Sequence, residues 1–316
     1  RLKLSKVVFR DGEEKYSLVI GKTSSVQERY REMILPLEQT IKPFRKINIV
    51  VRAFNDGIAF RYEFPEQNNF SSFTLAAEHS TFPVPAGTKT LALFFPNFTS
   101  SHEGIYSHSL WNDVKEDTLI DLPVLFELPG VFLAITEAAL TDYAGMYLVK
   151  KNGIATSKLS PFRNDTGIAV KHNLPHQSPW RVLMISDRIG RLIESNLLTN
   201  LSPPCKIDDL SWIKPGKTTW PWWNGNVIPD SVPGGNNFET NQHYIDFCAR
   251  NGIEFHSVVE YGLHEWYVND GAGFSPGPHA DPSKAVPGLN MQYVCDYAKQ
   301  KGVGIRVWVH WRALYP

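Results

Sequence analysis

The sequence predicts a chain of two parts, an all-β sandwich followed by an incomplete (β/α)8 barrel. The first part consists of short alternating segments separated by turn residues, whereas the second alternates helix-like and strand-like segments. Three strand-like segments of the second part end in Trp, His or carboxylate side chains. In a (β/α) barrel the carboxyl ends of the strands form the rim at which substrate binds.

Composition excludes several classes of protein. The chain has 316 residues, 42% of them hydrophobic, which is enough for a large core and about two domains. Its 32 basic and 32 acidic residues balance, so nothing favours nucleic acid or an anionic membrane surface as a partner. No run of about 18 apolar residues predicts a membrane span. Nine Trp residues suit either core packing or a surface on which sugar rings stack.

The cysteines and the short motifs indicate which kinds of site the sequence lacks. Cys205, Cys248 and Cys295 fit neither a disulfide framework nor a zinc site. We interpret Cys248 and Cys295, which lie in helix-like segments, as small buried apolar residues. The sequence contains no G-x-S-x-G, no H-E-x-x-H and no P-loop. Arg1 is not preceded by an apolar leader, which leaves export open.

The first half is predicted to be β-rich. Residues 47–64 alternate on either side of Asp56 and Gly57, as expected of a hairpin with one buried face. A second hairpin is predicted within residues 123–140, with its turn at Pro129 and Gly130. Further strands are predicted at 90–95, 146–149 and 180–185. Many short strands between turn signals favour a sandwich.

Helical pattern is weak in this half. Residues 24–33 are predicted to be a loop or a short helix, and residues 192–198 to be the last element before a linker. We therefore predict a sandwich domain at 1–205, a linker at 206–216, and the first three βα units of a truncated barrel at 217–316.

The second half has a different period. Helices are predicted at 237–250 and 290–301, stopped by Gly252 and Gly302, with Asn290 or Gly288 as the cap of the second. Strands are predicted to end at Trp223 and to span 253–259 and 303–309. Strand–helix–strand crossovers produce parallel sheet. A closed barrel needs eight strands and about 250 residues, so we expect this chain to be a fragment of a longer protein.

Five residues at the predicted rim are candidate sugar-binding residues. Trp222 and Trp223 end the first predicted barrel strand, Glu260 follows the second, and His310 and Trp311 follow the third. Indole faces can stack on sugars, and imidazole or carboxylate groups can hydrogen-bond sugar hydroxyls. The alternative is ordinary rim packing for the tryptophans and a satisfied core or rim histidine for His310.

Glu137, at the end of a predicted sandwich strand, is the candidate metal ligand. One interpretation is an exposed strand-end carboxylate. The other is a carboxylate that projects towards the barrel rim and binds a hard cation such as Ca²⁺, which takes oxygen ligands. No EF-hand loop is present, so the other ligands would come from distant segments.

Several segments together resemble glycoside hydrolase family 97, and the resemblance spans most of the chain in the right order. They are RAFNDGIAFRYEF (52–64), LPGVFLAITEAALTDYAGMYL (128–148), SPWRVLMISD (178–187), ESNLLTNLSPPC (194–205), KTTWPWWNG (217–225) and KGVGIRVWVHW (301–311). The resemblance implies a β-super-sandwich related to galactose mutarotase-like domains, followed by a catalytic (β/α)8 barrel and a small C-terminal β domain.

The resemblance also implies an activity and site residues. The family comprises Ca²⁺-dependent α-glucosidases and α-galactosidases, typically exported to the bacterial periplasm. Glu137 matches the sandwich glutamate that takes part in its calcium site, and Trp222, Trp223 and His310 match positions that line the sugar pocket. Glu260 stands where the resemblance leads us to expect an aspartate.

The resemblance points to the retaining branch. Inverting members carry a catalytic base in a His-His-Glu setting after the third strand, whereas this chain has V-H-W-R at 309–312. The implied nucleophile and acid/base would both lie beyond Pro316, so no catalytic carboxylate is expected here. We expect an exo-acting α-galactosidase-like hydrolase, periplasmic or secreted, monomeric or homodimeric. The alternatives are an inverting α-glucosidase, a non-catalytic carbohydrate-binding protein, and a structural sandwich protein.

Overall fold

The computed structural model describes residues 1–225, 227–259, 265–271 and 275–314. The chain divides into two compact units, Arg1–Asp208 and Asp209–Pro316. No helix in the described part of the chain combines the length and the apolar character needed to cross a membrane.

The first unit is built almost entirely from β-strands. Its strands are β1 (Leu2–Leu4), β2 (Val8–Ser17), β3 (Ser25–Gln39), β4 (Lys46–Phe54), β5 (Gly57–Phe64), β6 (Ser72–Leu75), β7 (Thr81–Phe82), β8 (Lys89–Ala92), β9 (Phe94–Phe95), β10 (Ser107–Leu110), β11 (Leu119–Ile120), β12 (Val124–Leu128), β13 (Val131–Ala138), β14 (Met146–Lys151), β15 (Ile154–Leu159), β16 (Val170–Asn173), β17 (His176–Gln177) and β18 (Trp180–Ser186). Two short helices follow, α1 (Ile189–Glu194) and α2 (Leu197–Asn200).

Two antiparallel sheets of this unit pack as a sandwich. The larger sheet has eleven strands, ordered β1-β3-β4-β5-β18-β13-β12-β8-β10, with β2 paired to β3 and β17 to β5. The smaller sheet has the order β7-β15-β14-β11-β9. Phe126 and Ile135 of the larger sheet and Leu148 and Ala155 of the smaller one are fully buried in one core. The predicted β-sandwich is therefore present.

The outer face of the larger sheet carries a second core. Alternate residues of β18 (Trp180, Val182 and Met184) pack there with Leu197 and Leu201 from α2 and the residue after it. Because side chains alternate along a strand, Arg181 and Leu183 of β18 face the interior of the sandwich instead. The same alternation directs β13 residues to both cores, which matters for the candidate site.

The predicted hairpins are confirmed. β12 and β13 pair from Val124↔Ile135 to Leu128↔Val131, leaving Pro129 and Gly130 as the two turn residues. Gly130 has φ 74°, a value that glycine adopts without a Cβ clash. The pairing of β4 with β5 ends at the turn with the pair Phe54↔Gly57. Their turn is therefore at Asn55 and Asp56, one residue earlier than predicted.

The loop or short helix predicted at residues 24–33 is wrong, because this segment lies in the long strand β3. Val26 and Glu32 of β3 are both buried, and β3 pairs with β2 and with β4. Arg10 and Arg52 bind Glu32, with 2.8 Å between Arg52 Nε and Glu32 Oε2. A buried charge at an inward position hides the period of two, which explains the failed prediction.

The second unit contains a three-stranded parallel sheet with two crossover helices. Its elements are β19 (Thr218–Thr219), α3 (Phe238–Asn251), β20 (Phe255–Val258), β21 (Tyr267–Val268), β22 (Asp281–Ala285), α4 (Met291–Gln300) and β23 (Gly304–Val307). The sheet order is β19-β20-β23, and both pairings are parallel. β21 and β22 pair separately. Both crossover helices agree with the sequence prediction.

The helix ends show why these segments fold locally as helices. Asn237 Oδ1 accepts a hydrogen bond from Thr240 N at 2.8 Å, and Asn290 Oδ1 accepts one from Tyr293 N at 3.1 Å. Gly252 ends α3 with φ 60°. Ile245 and Cys248 of α3 and Val294 and Ala298 of α4 form the inner face.

Cys295 is exposed, so our interpretation of it as a buried residue is wrong, whereas the same interpretation of Cys248 is confirmed. Val294 and Ala298 lie four residues apart and are fully buried, so they define the inner face of α4. Cys295 is rotated about 100° from Val294 and points away from that face.

A fully buried histidine joins strand and helix in this unit. His256 Nδ1 lies 2.8 Å from Thr219 Oγ1, and its Nε2 lies 3.0 Å from Asn241 Oδ1. Tyr244 stacks on the imidazole with a centroid separation of 5.6 Å. A neutral Nε2–H tautomer satisfies both polar contacts. Burial lowers the pKa of His256 to about 4.

The sandwich core predicts a matched pair of isoleucine variants. Ile135→Ala, at a fully buried position, should lower the free energy of unfolding by about 3 kcal/mol, because it leaves a cavity. Ile105→Ala, at a position 91% exposed, should change it by less than about 0.5 kcal/mol. Urea unfolding of both variants measures the difference. Equal losses would contradict the assigned core.

His256 predicts a specific loss of stability in acid. Its pKa in the folded protein lies below the ordinary value, so protons bind preferentially to the unfolded chain as the pH falls from about 6.5 to 4. This one residue should then lower the free energy of unfolding by about 3 kcal/mol. His256→Gln should flatten that part of the pH profile, whereas His279→Gln, with its side chain 84% exposed, should leave it unchanged. Identical profiles for wild type and His256→Gln would refute the assignment.

Candidate functional site

Glu137 lies near the end of β13 on the inner face of the sandwich. It is two residues after the core residue Ile135, and it pairs with Arg181 across the sheet. Glu137 Oε2 accepts a hydrogen bond from Arg181 Nη1 at 2.8 Å, and its Oε1 accepts one from Met146 N at 3.0 Å. Its side chain is only 13% exposed. The interpretation as an exposed strand-end carboxylate therefore does not apply.

Arg181 holds a second carboxylate as well. Its Nε and Nη2 donate to Glu78 Oε1 and Oε2 at 2.9 and 2.6 Å, a two-pronged pairing that matches guanidinium to carboxylate. Arg181 is fully buried and Glu78 is nearly so. We call Glu78, Glu137 and Arg181 the Arg181 cluster. Two carboxylates share one guanidinium in it, so the cluster carries an excess negative charge when all three groups are ionised.

Neighbouring groups show where that excess charge resides. Burial raises the pKa of Glu137, the Arg181 guanidinium opposes this increase, and the negative charge of Glu78 adds to it. Glu78 Oε1 accepts a further hydrogen bond from Ser80 Oγ at 2.8 Å, and Ser80 Oγ lies 2.8 Å from the Tyr62 hydroxyl. The negative charge of Glu78 is thus the better compensated of the two, and Glu137 carries the excess negative charge of the cluster.

The Arg181 cluster fits one ligand to a hard cation, not a complete shell. Ca²⁺ takes six to eight oxygen ligands. Each Glu137 oxygen accepts one hydrogen bond and keeps a lone pair, and the surplus negative charge favours a cation. Within the ranges that the structure describes, no group of three or more His, Cys, Asp or Glu residues could hold a metal ion. Glu137 could therefore contribute one oxygen ligand, and other ligands would have to come from elsewhere.

In the second unit, two predicted rim residues come just after β19, which ends at Thr219 and not at Trp223 as predicted. Trp222 and Trp223 lie in a one-turn 3-10 helix, Pro221–Asn224, that Gly225 ends with φ 75°. Their ring centroids are 5.9 Å apart at an interplanar angle of 49°. Trp223 is 76% exposed and Trp222 37%. Such exposure suits ring stacking by Trp223 more than it suits core packing.

Two further rim residues follow β23, at the same edge of the parallel sheet. His310 and Trp311 stack with ring centroids 6.0 Å apart and an interplanar angle of 25°. His310 is half-buried and Trp311 is 61% exposed. Glu260, predicted to follow β20, lies outside the described residues. All five residues stay predicted sugar-binding residues, grouped by strand end as Trp222 with Trp223 and His310 with Trp311.

Sequence reasoning missed a buried polar pair near this edge. Glu265 is 6% exposed, and its Oε2 accepts a hydrogen bond from Asn269 Nδ2 at 3.0 Å. Burial first, and the Glu265 carboxylate second, raise the pKa of the fully buried Tyr267. Trp266 Nε1 donates to Trp308 O at 2.7 Å, which ties this segment to the end of β23. The long polar loop between the strands contained no pattern that distinguished these residues.

Two family profiles match the chain. The profile described as Glycosyl-hydrolase 97 N-terminal matches residues 1–204, and the profile described as Glycoside hydrolase 97 matches residues 222–316. The chain belongs to glycoside hydrolase family 97. The resemblance stated from the sequence is thereby confirmed.

Two curated relatives of this family 97 chain are similar over most of its length. A retaining α-galactosidase of Bacteroides thetaiotaomicron is 30% identical over 296 residues, which are 84% of this chain and 42% of that protein. A probable retaining α-galactosidase of Streptomyces bingchenggensis is 27% identical over 307 residues, which are 95% of this chain and 43% of that protein. The chain thus spans less than half the length of the curated relatives it matches.

Solved family 97 structures agree with the fold. An enzyme of the family from Pseudoalteromonas sp. strain K8, solved in complex with acarbose, has a TM-score of 0.84 and 26% identity, covering 96% of this chain and 46% of that one. The same family enzyme has also been solved as an E480Q variant with panose. A β-arabinopyranosidase structure, at 22% identity and a TM-score of 0.77, shows the fold alone.

The Arg181 cluster predicts unequal effects of two matched variants. Glu78→Gln breaks the two-pronged pairing and should lower the free energy of unfolding by about 3 kcal/mol. Glu137→Gln removes the surplus negative charge and loses one of the two hydrogen bonds that the carboxylate accepts, so it should cost less, about 1 kcal/mol. Urea unfolding at pH 7 measures both, with Glu127→Gln, at an exposed ion pair, as a control expected within about 1 kcal/mol of wild type.

The pH dependence of Glu137→Gln provides a second measure. The raised pKa means that folded Glu137 keeps its proton to a higher pH than the unfolded chain does. The contribution of Glu137 to the free energy of unfolding therefore declines as the pH rises through that pKa, and Glu137→Gln should remove the decline. Equal destabilisation by Glu78→Gln and Glu137→Gln would contradict this division of charge.

Proposed function

We propose that this chain is part of a retaining, exo-acting α-glycoside hydrolase that removes terminal α-galactosyl groups. The observation that supports this most is the similarity of the chain to one protein named a retaining α-galactosidase and one named a probable retaining α-galactosidase, over 84% and 95% of the chain. The sequence V-H-W-R at 309–312, in place of the His-His-Glu setting of inverting members, supports the same branch.

The proposed architecture completes the sheet of the second unit. β19, β20 and β23 are taken as the first three strands of a catalytic (β/α)8 barrel, and their carboxyl ends as the start of its substrate rim. A retaining mechanism needs two carboxyl groups about 5–5.5 Å apart, one attacking the anomeric carbon and one protonating the leaving oxygen. We place neither of them in this chain; both would lie beyond Pro316.

The rim residues of this chain would bind the sugar and orient it. Trp222, Trp223 and Trp311 offer indole faces, against which the C–H faces of a pyranose ring pack. The imidazole of His310 can donate to or accept from a sugar hydroxyl, and Glu260 can accept from one. Together these groups would hold the non-reducing end of an oligosaccharide or simpler α-glycoside against the carboxylates supplied by the rest of the barrel.

Glu137 would supply one oxygen ligand to a calcium ion. The surplus negative charge of the Arg181 cluster and the remaining lone pairs of Glu137 support its role as one oxygen ligand. A Ca²⁺ ion held there would polarise the substrate or orient the catalytic acid. Glu78 and Arg181 would contribute by keeping the Glu137 carboxylate in place.

A second candidate is an inverting α-glucosidase of the same family. The Pseudoalteromonas enzyme, with a TM-score of 0.84 to this chain, was solved with acarbose and with panose. The relatives named α-galactosidases make the retaining function the stronger proposal. We further propose periplasmic or secreted localisation, and a monomer or homodimer.

Assays of the full-length protein distinguish these functions. We expect hydrolysis of p-nitrophenyl α-galactoside in preference to the α-glucoside, with initial retention of anomeric configuration by proton NMR, and loss of activity in EDTA that Ca²⁺ restores. Preference for the α-glucoside with inversion would favour the second candidate. Hydrolysis of neither substrate would leave a carbohydrate-binding protein.

The rim has its own test. Trp223→Ala should raise KM roughly fivefold, because ring stacking contributes about 1 kcal/mol to binding. Trp212→Ala is the matched control, because Trp212 is 65% exposed but precedes β19 and so lies at the opposite end of that strand. Equal KM values for the two variants would remove Trp223 from the sugar site.

A further inference from the structure

Two histidines of the sandwich unit stack face to face. His172 of β16 and His176 of β17 have ring centroids 3.6 Å apart and an interplanar angle of 18°. Tyr143 lies parallel to His176, at 6.0 Å and 10°. We call these three rings the imidazole stack. Rings this close can carry one positive charge at low cost, but two charged imidazoles would repel strongly.

The stack holds the loop of residues 139–145, which joins β13 to β14. Asp142 Oδ2 of this loop lies 2.7 Å from His172 Nε2, and the next residue, Tyr143, belongs to the stack. Ala139 and Asp142 have φ values of 56° and 54°, a conformation that non-glycine residues keep only where their surroundings enforce it. The contacts of Asp142 with His172 and of Tyr143 with His176 can enforce it at Asp142.

The same loop controls the position of Glu137. It begins directly after β13, which carries Glu137, and it leads into Met146, the first residue of β14. The N–H of Met146 donates to Glu137 Oε1 at 3.0 Å. Tyr143 also lies with its ring 5.9 Å from the guanidinium carbon of Arg181, which binds Glu137 Oε2. Both oxygens of Glu137 are thus linked to the loop that the imidazole stack anchors.

We propose that the imidazole stack is a pH-sensitive clamp, in which His172 and His176 are positioning residues that hold loop 139–145 and, through it, Glu137. Its closed state has one charged ring, His172, paired with Asp142, and one neutral ring, His176. A second proton on His176 opens it through repulsion, and loss of the proton on His172 weakens it by removing the ion pair.

The groups around His176 agree with this assignment. Burial first and the charge of His172 second lower the pKa of His176, and a hydrogen bond to the Asp142 backbone and the charge of Asp142 oppose part of this decrease. The hydrogen bond to the Asp142 side chain raises the pKa of His172. Glu63 of β5 and Lys206 line the same cleft with opposite charges, and Phe73 of β6 contributes an uncharged ring. The clamp is therefore strongest between the two pKa values, which lie on either side of the ordinary histidine value of about 6.5.

Hydrogen exchange in the complete protein tests the clamp directly. After correction for the intrinsic pH dependence of exchange, protection of residues 139–146 should fall at least tenfold between pH 7 and pH 5 in the wild type. In His176→Phe, which keeps a stacking ring that takes no proton, the protection should be retained at pH 5. His279→Gln, which removes an exposed His–Asp pair with 2.7 Å between His279 Nδ1 and Asp270 Oδ2, should behave as the wild type. Equal protection of the wild-type loop at both pH values, or an equal loss in His176→Phe, would overturn the clamp.

Histidine NMR of the wild type keeps the proposal testable if His176→Phe does not fold. His172 should titrate above 6.5 and His176 below it, and a shared midpoint would overturn the assignment of charges. The effect on catalysis rests on the proposed function, but these two measurements do not. In an active enzyme at saturating Ca²⁺, the acidic limb of kcat/KM should move to lower pH in His176→Phe, and it should persist there because the proposed nucleophile must itself be ionised. An unchanged acidic limb would show that the clamp does not act on Glu137.

Discussion

The buried guanidinium of Arg181 is the interaction on which the sandwich site depends. A charge in the interior is tolerated when it is paired and hydrogen-bonded, and each guanidinium nitrogen of Arg181 donates to one of two carboxylates, from the segment before β7 and from β13. Glu78, Glu137 and Arg181 must therefore stay together for the inner face to remain closed. Their charges do not cancel, and the residual negative charge is the physical basis for the proposal that Glu137 binds a cation.

The layout of the sandwich explains why this charge is available. β13 and β18 are neighbours in the larger sheet, and their alternation sends Ile135 into the apolar core and Glu137 and Arg181 to the polar end of the same face. Trp180 and Val182 pack in the second core, on the opposite face of the sheet. One pair of strands thus supports two apolar cores and one polar cluster, a division that a period of two provides without any irregular backbone.

Much of this arrangement could be predicted from the sequence, and the failures have identifiable causes. Alternation around Gly130, the cap at Asn290 and the glycine stop at Gly252 were sufficient for hairpins and helices, because those signals are local. β3 was missed because Glu32 occupies an inward position that only Arg10 and Arg52 make tolerable. Glu137 could be singled out by its position and family resemblance, but its partner Glu78 is distant in sequence and lies in no recognisable motif. The pairing of His172 with His176 likewise depends on how β16 and β17 are brought together, and spacing along the chain does not show it.

Strand β2 lies at one edge of the larger sheet, where its charges affect whether copies of this protein associate edge to edge. β2 pairs with β3 on one side, and its sequence carries Arg10, Asp11, Glu13, Glu14 and Lys15. Unpaired strand edges attract other chains into continuous sheets, and closely spaced charges of both signs discourage that addition. The mixed charges of β2 therefore disfavour fibre-like growth of this protein along that edge of the sheet.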